Sequence, residues 1–154
     1  MIHLVLHQPE IPHNTGAVGR LALASGARLH LIKPLGFSLE DKHLKRCGLD
    51  YWKEVDLRVW DHWQDLRQEA SPKACFFPVE VGGGTAYCEA DMASPSELYL
   101  IFGPETSSLP AEVMQSGQSL HLPMQGTRSL NLATAVAICL YEALRQRGFP
   151  GMGR

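Results

Sequence analysis

Leu98-Tyr99-Leu100-Ile101-Phe102 is an unbroken apolar run rich in β-favouring residues. It does not alternate polar with apolar, so a strand here is buried on both faces, as in a parallel sheet covered by helices. Outward from it, strand-like runs fall at residues 2–6, 28–32, 57–60, 74–79 and 120–122. Helical patterns lie between them at 15–24, 39–47, 61–69, 110–116 and 130–147. The first has start signals in Asn14 or Thr15 and a stop signal in Ser25-Gly26. Strand and helix thus alternate, which predicts an α/β domain with a mostly parallel sheet and helices on both faces. At 154 residues the chain makes one domain, residues 1–154. A chain of that size buries roughly 70% of its unfolded surface.

A net charge of −2 excludes a polycation that grips nucleic acid by bulk charge. Any RNA contact must come from a local cluster. Lys42, His43, Lys45 and Arg46 form the one dense basic cluster, either a solvated helix face or a phosphate-contact patch. The four cysteines (Cys47, Cys75, Cys88, Cys139) contain no C-x-x-C pair, and the histidines show no ligand spacing, so no metal is expected. Cys75 and Cys139 sit in apolar runs and read as core. No basic segment followed by an apolar stretch opens the chain, and no apolar run approaches a membrane span. A soluble, cytoplasmic protein is the expectation.

Ligands of open α/β sheets bind beyond the carboxyl ends of the strands. Those ends carry segments rich in Gly, Pro and small polar residues, namely 8–16, 80–85, 103–110 and 123–129. The triple glycine Gly82-Gly83-Gly84 lacks the G-x-G-x-x-G context and reads as a flexible turn. Before the last helix stands Arg128-Ser129-Leu130-Asn131, a polar cluster at the mouth of a helix apolar on nearly every side. Ser129 or Asn131 suits an N-cap. The free N–H groups there also suit a ligand carboxylate or phosphate, and capping does not exclude binding. A helix apolar all round needs cover on a second face. A partner subunit is therefore expected against it, with Val136 and Cys139 on the outward side.

Three segments resemble the signature motifs of the SPOUT-class RNA 2′-O-methyltransferases. They are Asn14-Thr15-Gly16-Ala17-Val18-Gly19-Arg20, Phe102-Gly103-Pro104-Glu105, and Leu122-Pro123-Met124 through Tyr141-Glu142. Pro9-Glu10-Ile11-Pro12, Lys33-Pro34-Leu35-Gly36-Phe37 and Gly48-Leu49-Asp50-Tyr51 narrow the resemblance to the minimal, single-domain TrmL-type enzymes. It spans essentially the whole chain. It implies a C-terminal trefoil knot, a homodimer through the last helix, and S-adenosylmethionine-dependent methylation of the wobble ribose, on cytidine or modified uridine, in tRNA. Methylation of another RNA such as rRNA, or AdoMet or RNA binding without turnover, are the alternatives. Two departures stand out. Ser107-Ser108 replace the family's frequent Arg-Gly, and the loop from Met124 to Arg128 is one residue short.

The resemblance also implies roles. The cofactor would be held mainly by main-chain groups near Pro78, Gly103, Leu122, Ser129 and Leu130. Arg20 would orient the ribose–phosphate and stabilise an incipient alkoxide; a guanidinium is no base, so another group takes the proton. Asn14 and Asn131 would fix loop geometry and touch substrate. Glu105 would pair with Arg20 or Arg128, with simple acidic placement before the helix that opens at Pro110 as its alternative. Tyr141 joins the catalytic set, with core packing as its alternative. Lys42, His43, Lys45, Arg46 and Arg128 would contact RNA.

Overall fold

The computed structural model describes residues 1–47 and 49–153, apart from the side chains of Lys45, Cys47, Leu49 and Asp50. Gly48 of the Gly48–Tyr51 signature and the Lys45 side chain lie outside the described residues. Among those described, the strands are β1 (Ile2–His7), β2 (Arg28–Ile32), β3 (Leu57–Trp60), β4 (Ala74–Val79), β5 (Thr85–Ala86), β6 (Glu97–Phe102) and β7 (Leu120–His121). The α-helices are α1 (Pro12–Ser25), α2 (Lys42–Cys47), α3 (Trp63–Glu69), α4 (Ala111–Met114) and α5 (Leu132–Gln146). Short 3₁₀ helices occupy Leu49–Glu54 and Tyr87–Glu89.

The strands pair in the order β3-β2-β1-β6-β4-β7-β5, every pair parallel. The run that predicted burial on both faces, β6, lies in the sheet's centre between β1 and β4. Leu98, Leu100 and Phe102 point to one face, where Leu4, Leu6, Leu29 and Leu31 meet Val18 and Ala22 of α1 and Val136, Leu140 and Leu144 of α5. Tyr99 and Ile101 point to the other, against Trp63 and Leu66 of α3 and Val113 of α4. Helices therefore cover both faces.

Two expectations are corrected. α1 starts at Pro12 with Ile11 at its N-cap, not at Asn14 or Thr15, because Pro12 lacks an N–H and carries a helical φ, which suits the first turn. Asn14 is thus freed from capping. The stop signal holds, since Gly26 takes φ 72° and caps the helix in the left-handed region. On α5, Val136 and Cys139 are fully buried within the chain, not outward-facing. They belong to the i, i+3, i+4, i+7 stripe of Leu132, Val136, Cys139, Leu140 and Ala143 that packs on the sheet. The outward side carries Thr134 and Tyr141, exposed, and Ala137 and Ile138, half-buried.

A buried polar relay crosses the α3–α4 face of the sheet. Trp60 Nε1–H donates to His30 Nδ1 at 3.0 Å. An indole nitrogen only donates, so His30 must carry its proton on Nε2 and donate to His3 Nδ1, 2.9 Å away. His3 then donates through Nε2 to Glu97. Burial pushes His30 down to about 3, helped by His3 and Arg28. It lowers His3 too, against the pull of Glu97.

Candidate active site

Because all strands are parallel, their carboxyl ends share one edge. A cavity of about 690 Å³ opens there, walled by the segments that follow β1, β4, β6 and β7 and by the start of α5. Its floor is apolar, from Val79, Phe102, Leu122, Leu132 and Ala135, and its rim carries Ser107, Ser108, Arg128, Ser129 and Asn131. At Gly103 a Cβ would stand 3.2 Å from Leu109 Cγ and 3.4 Å from Leu109 N, so glycine lets the loop after β6 fold tightly over the wall. The triple-glycine turn works the same way. A Cβ on Gly83 would run into the Leu120 carbonyl, and Gly82 takes φ 79°.

One hydrogen-bond chain ties the three signature segments together. Asn131 is the N-cap of α5, its Oδ1 accepting from Thr134 N at 3.2 Å. Its Nδ2 donates to Asn14 Oδ1 at 3.0 Å. Asn14 Nδ2 in turn donates to Glu105 Oε1 at 3.2 Å. The Glu105 carboxylate also accepts from the backbone N–H of Ile11 at 3.0 Å and of Glu10 at 2.8 Å. Glu105 therefore fastens the entry to α1 instead of pairing with Arg20 or Arg128, because free N–H groups at a helix start compete strongly for a carboxylate. Glu10 reciprocates by accepting from Thr106 Oγ1 at 2.7 Å.

Asn14, Gly103, Glu105, Leu122, Arg128, Ser129, Leu130 and Asn131 all line this cavity. Pro78 does not, although it precedes Val79, which does. Arg20 lies on the exposed side of α1, outside the lining, with its guanidinium over the Tyr51 ring. Tyr141 is 41% exposed on α5, which removes the core-packing alternative, and is likewise outside. On α2, Lys42 and Arg46 are exposed and His43 lies beside His13, ring centroids 5.1 Å apart. Glu80 escapes a sequence search. Its Oε2 accepts from Leu109 N at 2.9 Å, holding the loop after β6 to the end of β4. The available signal was an acidic residue at the carboxyl end of an apolar strand. Among the described residues no group of three or more His, Cys, Asp or Glu could hold a metal ion. No helix among them is long and apolar enough to cross a membrane.

Comparison with known proteins places this geometry. A tRNA (cytidine(34)-2′-O)-methyltransferase of Polaromonas sp. is 45% identical over 157 aligned positions, covering 98% of this chain and 94% of the relative. A solved structure concerned with the 2-OH methylation of C/U34 on tRNA superposes with a TM-score of 0.90 at 48% identity, over 95% of each chain. The AdoMet-bound rRNA methyltransferase of Sinorhizobium meliloti shares the fold at TM-score 0.85 and 25% identity, over 94% of this chain and 56% of that one. The SpoU rRNA Methylase family matches residues 1–141, and with that the chain belongs to the SpoU methylase family.

Proposed function

We propose that the chain transfers a methyl group from S-adenosylmethionine to the ribose 2′-hydroxyl of nucleotide 34, cytidine or modified uridine, in the anticodon loop of tRNA; the names of its near-full-length relatives support 2′-O-methylation of cytidine or uridine 34 in tRNA. The observation that carries this is the cavity at the carboxyl edge, closed by Glu105, Asn14 and Asn131 bonded in series. The cavity fits the cofactor. Its volume falls within the roughly 300–1,000 Å³ of small-molecule sites. Its apolar floor suits an adenine, and the start of α5 offers backbone N–H groups to a carboxylate. Gly103, Leu122, Ser129 and Leu130 would hold it, with Pro78 shaping the wall from behind Val79.

When bound, S-adenosylmethionine supplies an electrophilic methyl on a sulfonium sulfur. The rest falls to this chain's residues. Asn14, Glu105 and Asn131 hold the loops in register so that a ribose oxygen can be presented in line. Arg20 lies outside the cofactor cavity, which supports assigning it to the substrate. There it orients the ribose–phosphate and stabilises negative charge growing on the 2′-oxygen, while an acceptor other than arginine takes the proton. Tyr141, carried into the catalytic set by the resemblance, lies outside the lining on the outward side of α5. Lys42, His43, Lys45, Arg46 and Arg128 supply phosphate contacts.

The homodimer belongs to the same proposal. The outward side of α5, with Ala137, Ile138 and the exposed Tyr141, is the face a second copy would cover. So does the knot, which the cavity-lining segments after β4, β6 and β7 would form. On a tRNA substrate the enzyme works in the cytoplasm.

Incubation with labelled cofactor and total RNA, followed by nucleoside mass spectrometry, tests the proposal. Label at nucleotide 34 of tRNA is expected. Label in rRNA, or none at all, overturns it. Arg20→Ala should abolish transfer while calorimetry shows cofactor binding unchanged.

A further inference from the structure

Two neighbouring residues of the 3₁₀ helix Leu49–Glu54 meet two neighbouring residues of α1. The Trp52 indole fills the space that a side chain at position 19 would occupy. A Cβ on Gly19 would stand 2.5 Å from Trp52 Cζ3 and 2.9 Å from Cε3, with Val55 Cγ2 at 3.6 Å. Glycine inside a helix is unfavourable relative to alanine, so position 19 sacrifices helix propensity to admit the ring. One residue on along α1 and one residue back along the 3₁₀ helix, the guanidinium carbon of Arg20 lies over the Tyr51 ring, 5.8 Å from its centroid. That is within cation–π range, and both side chains are exposed, where an unheld arginine would sample many rotamers.

We propose that Tyr51 is a positioning residue for methyl transfer. Its ring, seated by Trp52 in the gap at Gly19, holds the Arg20 guanidinium in the orientation that meets the substrate's ribose–phosphate. This rests on the assignment of Arg20 given above. It gives a physical role to Tyr51, the last residue of the Gly48–Tyr51 signature, which does not line the cavity. A guanidinium held in place before substrate arrives need not be ordered during the reaction, so the benefit falls on kcat. Cofactor affinity should be indifferent, because neither Tyr51 nor Arg20 lines the cavity.

The test is steady-state methylation of tRNA by the full-length protein with position 51 varied. Tyr51→Leu should lower kcat by about tenfold, with KM for S-adenosylmethionine unchanged. Tyr51→Phe should stay close to the parent, since the ring face is kept. Phenylalanine carrying one, two and three ring fluorines at position 51 should lower kcat stepwise, as each fluorine weakens the negative ring face. Gly19→Ala, which displaces the indole, should reproduce the loss in kcat without touching the aromatic ring. Normal turnover by Tyr51→Leu overturns the proposal. So does a loss that is flat across the fluorinated series, which would mean packing alone, or a rise confined to KM for tRNA, which would mean simple docking. If Tyr51→Leu fails to fold, the fluorinated series still decides. Arg20→Ala run in parallel separates the two claims. Full activity there removes the assignment of Arg20, whereas an inactive Arg20→Ala beside a normal Tyr51→Leu removes only the positioning role.

Discussion

Asn14→Asp changes a single atom at the middle of the bond chain, and its effect can be worked out in advance. The Nδ2–H that donates to Glu105 Oε1 over 3.2 Å becomes an oxygen. A donor–acceptor pair then becomes two carboxylates in contact. At that separation two unit charges repel by about 5 kcal/mol at an effective dielectric of about 20, and by about 1 kcal/mol if water screens them fully. Both side chains are half-buried, so the penalty lies between, about 2–4 kcal/mol. Asn14→Ala instead loses its bonds to Glu105 and Asn131, worth about 1 kcal/mol each, and water can replace both. The near-isosteric change should therefore be the more damaging one at neutral pH. For a domain of this size that means a Tm lower by about 10 °C for Asn14→Asp and about 5 °C for Asn14→Ala. Cofactor affinity measured by calorimetry should fall in the same order, because the chain closes the cavity. The repulsion favours protonation in the folded variant. Its cost is thus present above the ordinary carboxylate range and relieved as pH falls into it, so the gap between the two variants should close in acid. An Asn14→Asp protein that melts with the parent, or above Asn14→Ala at neutral pH, would refute the reasoning.

Glu80→Ala should raise the cofactor dissociation constant by about tenfold by releasing Leu109 N, while Glu80→Gln, which keeps an acceptor, should stay within about threefold. Equal affinities for Glu80→Ala and the parent would sink that role. Tyr141→Glu, on the outward side of α5, should give a folded monomer by light scattering, whereas Val136→Glu should not fold, because it buries an unpaired charge. A dimeric Tyr141→Glu would count against the interface. The relay makes stability fall in acid. His30 is held at about 3 and His3 is also lowered, so the folded state resists protons that the unfolded chain takes up. The contribution is complete above the unfolded value of about 6.5 and is lost progressively as pH falls from there toward the folded value. His30 alone should remove about 2 kcal/mol between pH 7 and pH 5, read from urea melts, and a level profile would contradict the relay.

What the sequence disclosed and what it withheld follow from the range of each interaction. The runs that became β4 and β6 are legible because burial on both faces leaves consecutive apolar residues, whereas β1 and β2 carry the buried histidines His3, His7 and His30 in otherwise apolar stretches. β5 spans two residues and left no period to detect. The start of α1 was misjudged because Asn14 has the composition of a cap, while Pro12 belongs equally to loops and to first turns. The inner stripe of α5 was hidden for the opposite reason. With alanine, isoleucine and tyrosine on its outer side, periodicity could not single out Val136 and Cys139, and only packing against the sheet did. Glu105 was picked out by motif, but its partners were not, since they lie 91 to 95 residues earlier in the chain.

That distance also explains what the signature residues are for. Asn14, Glu105 and Asn131 meet only because β1 and β6 are neighbours in the sheet and α5 lies beside α1. Bonds spanning 91 and 117 residues cost little more in loop closure than shorter ones, since that entropy grows only with the logarithm of length. They serve as a lock that joins cavity walls lying far apart in the chain. The lock occupies the polar atoms that make it. Glu105 already accepts two backbone N–H groups and an amide, and Asn131 is engaged at both its oxygen and its nitrogen. None of the three is left with the open geometry of a proton acceptor. On the function proposed above, the charge that meets the RNA falls to groups outside the lock: Arg20 beside the Tyr51 ring, Arg128 at the rim, and the cations of α2. On that proposal the carboxylate and amides build the site, and the cations address the substrate.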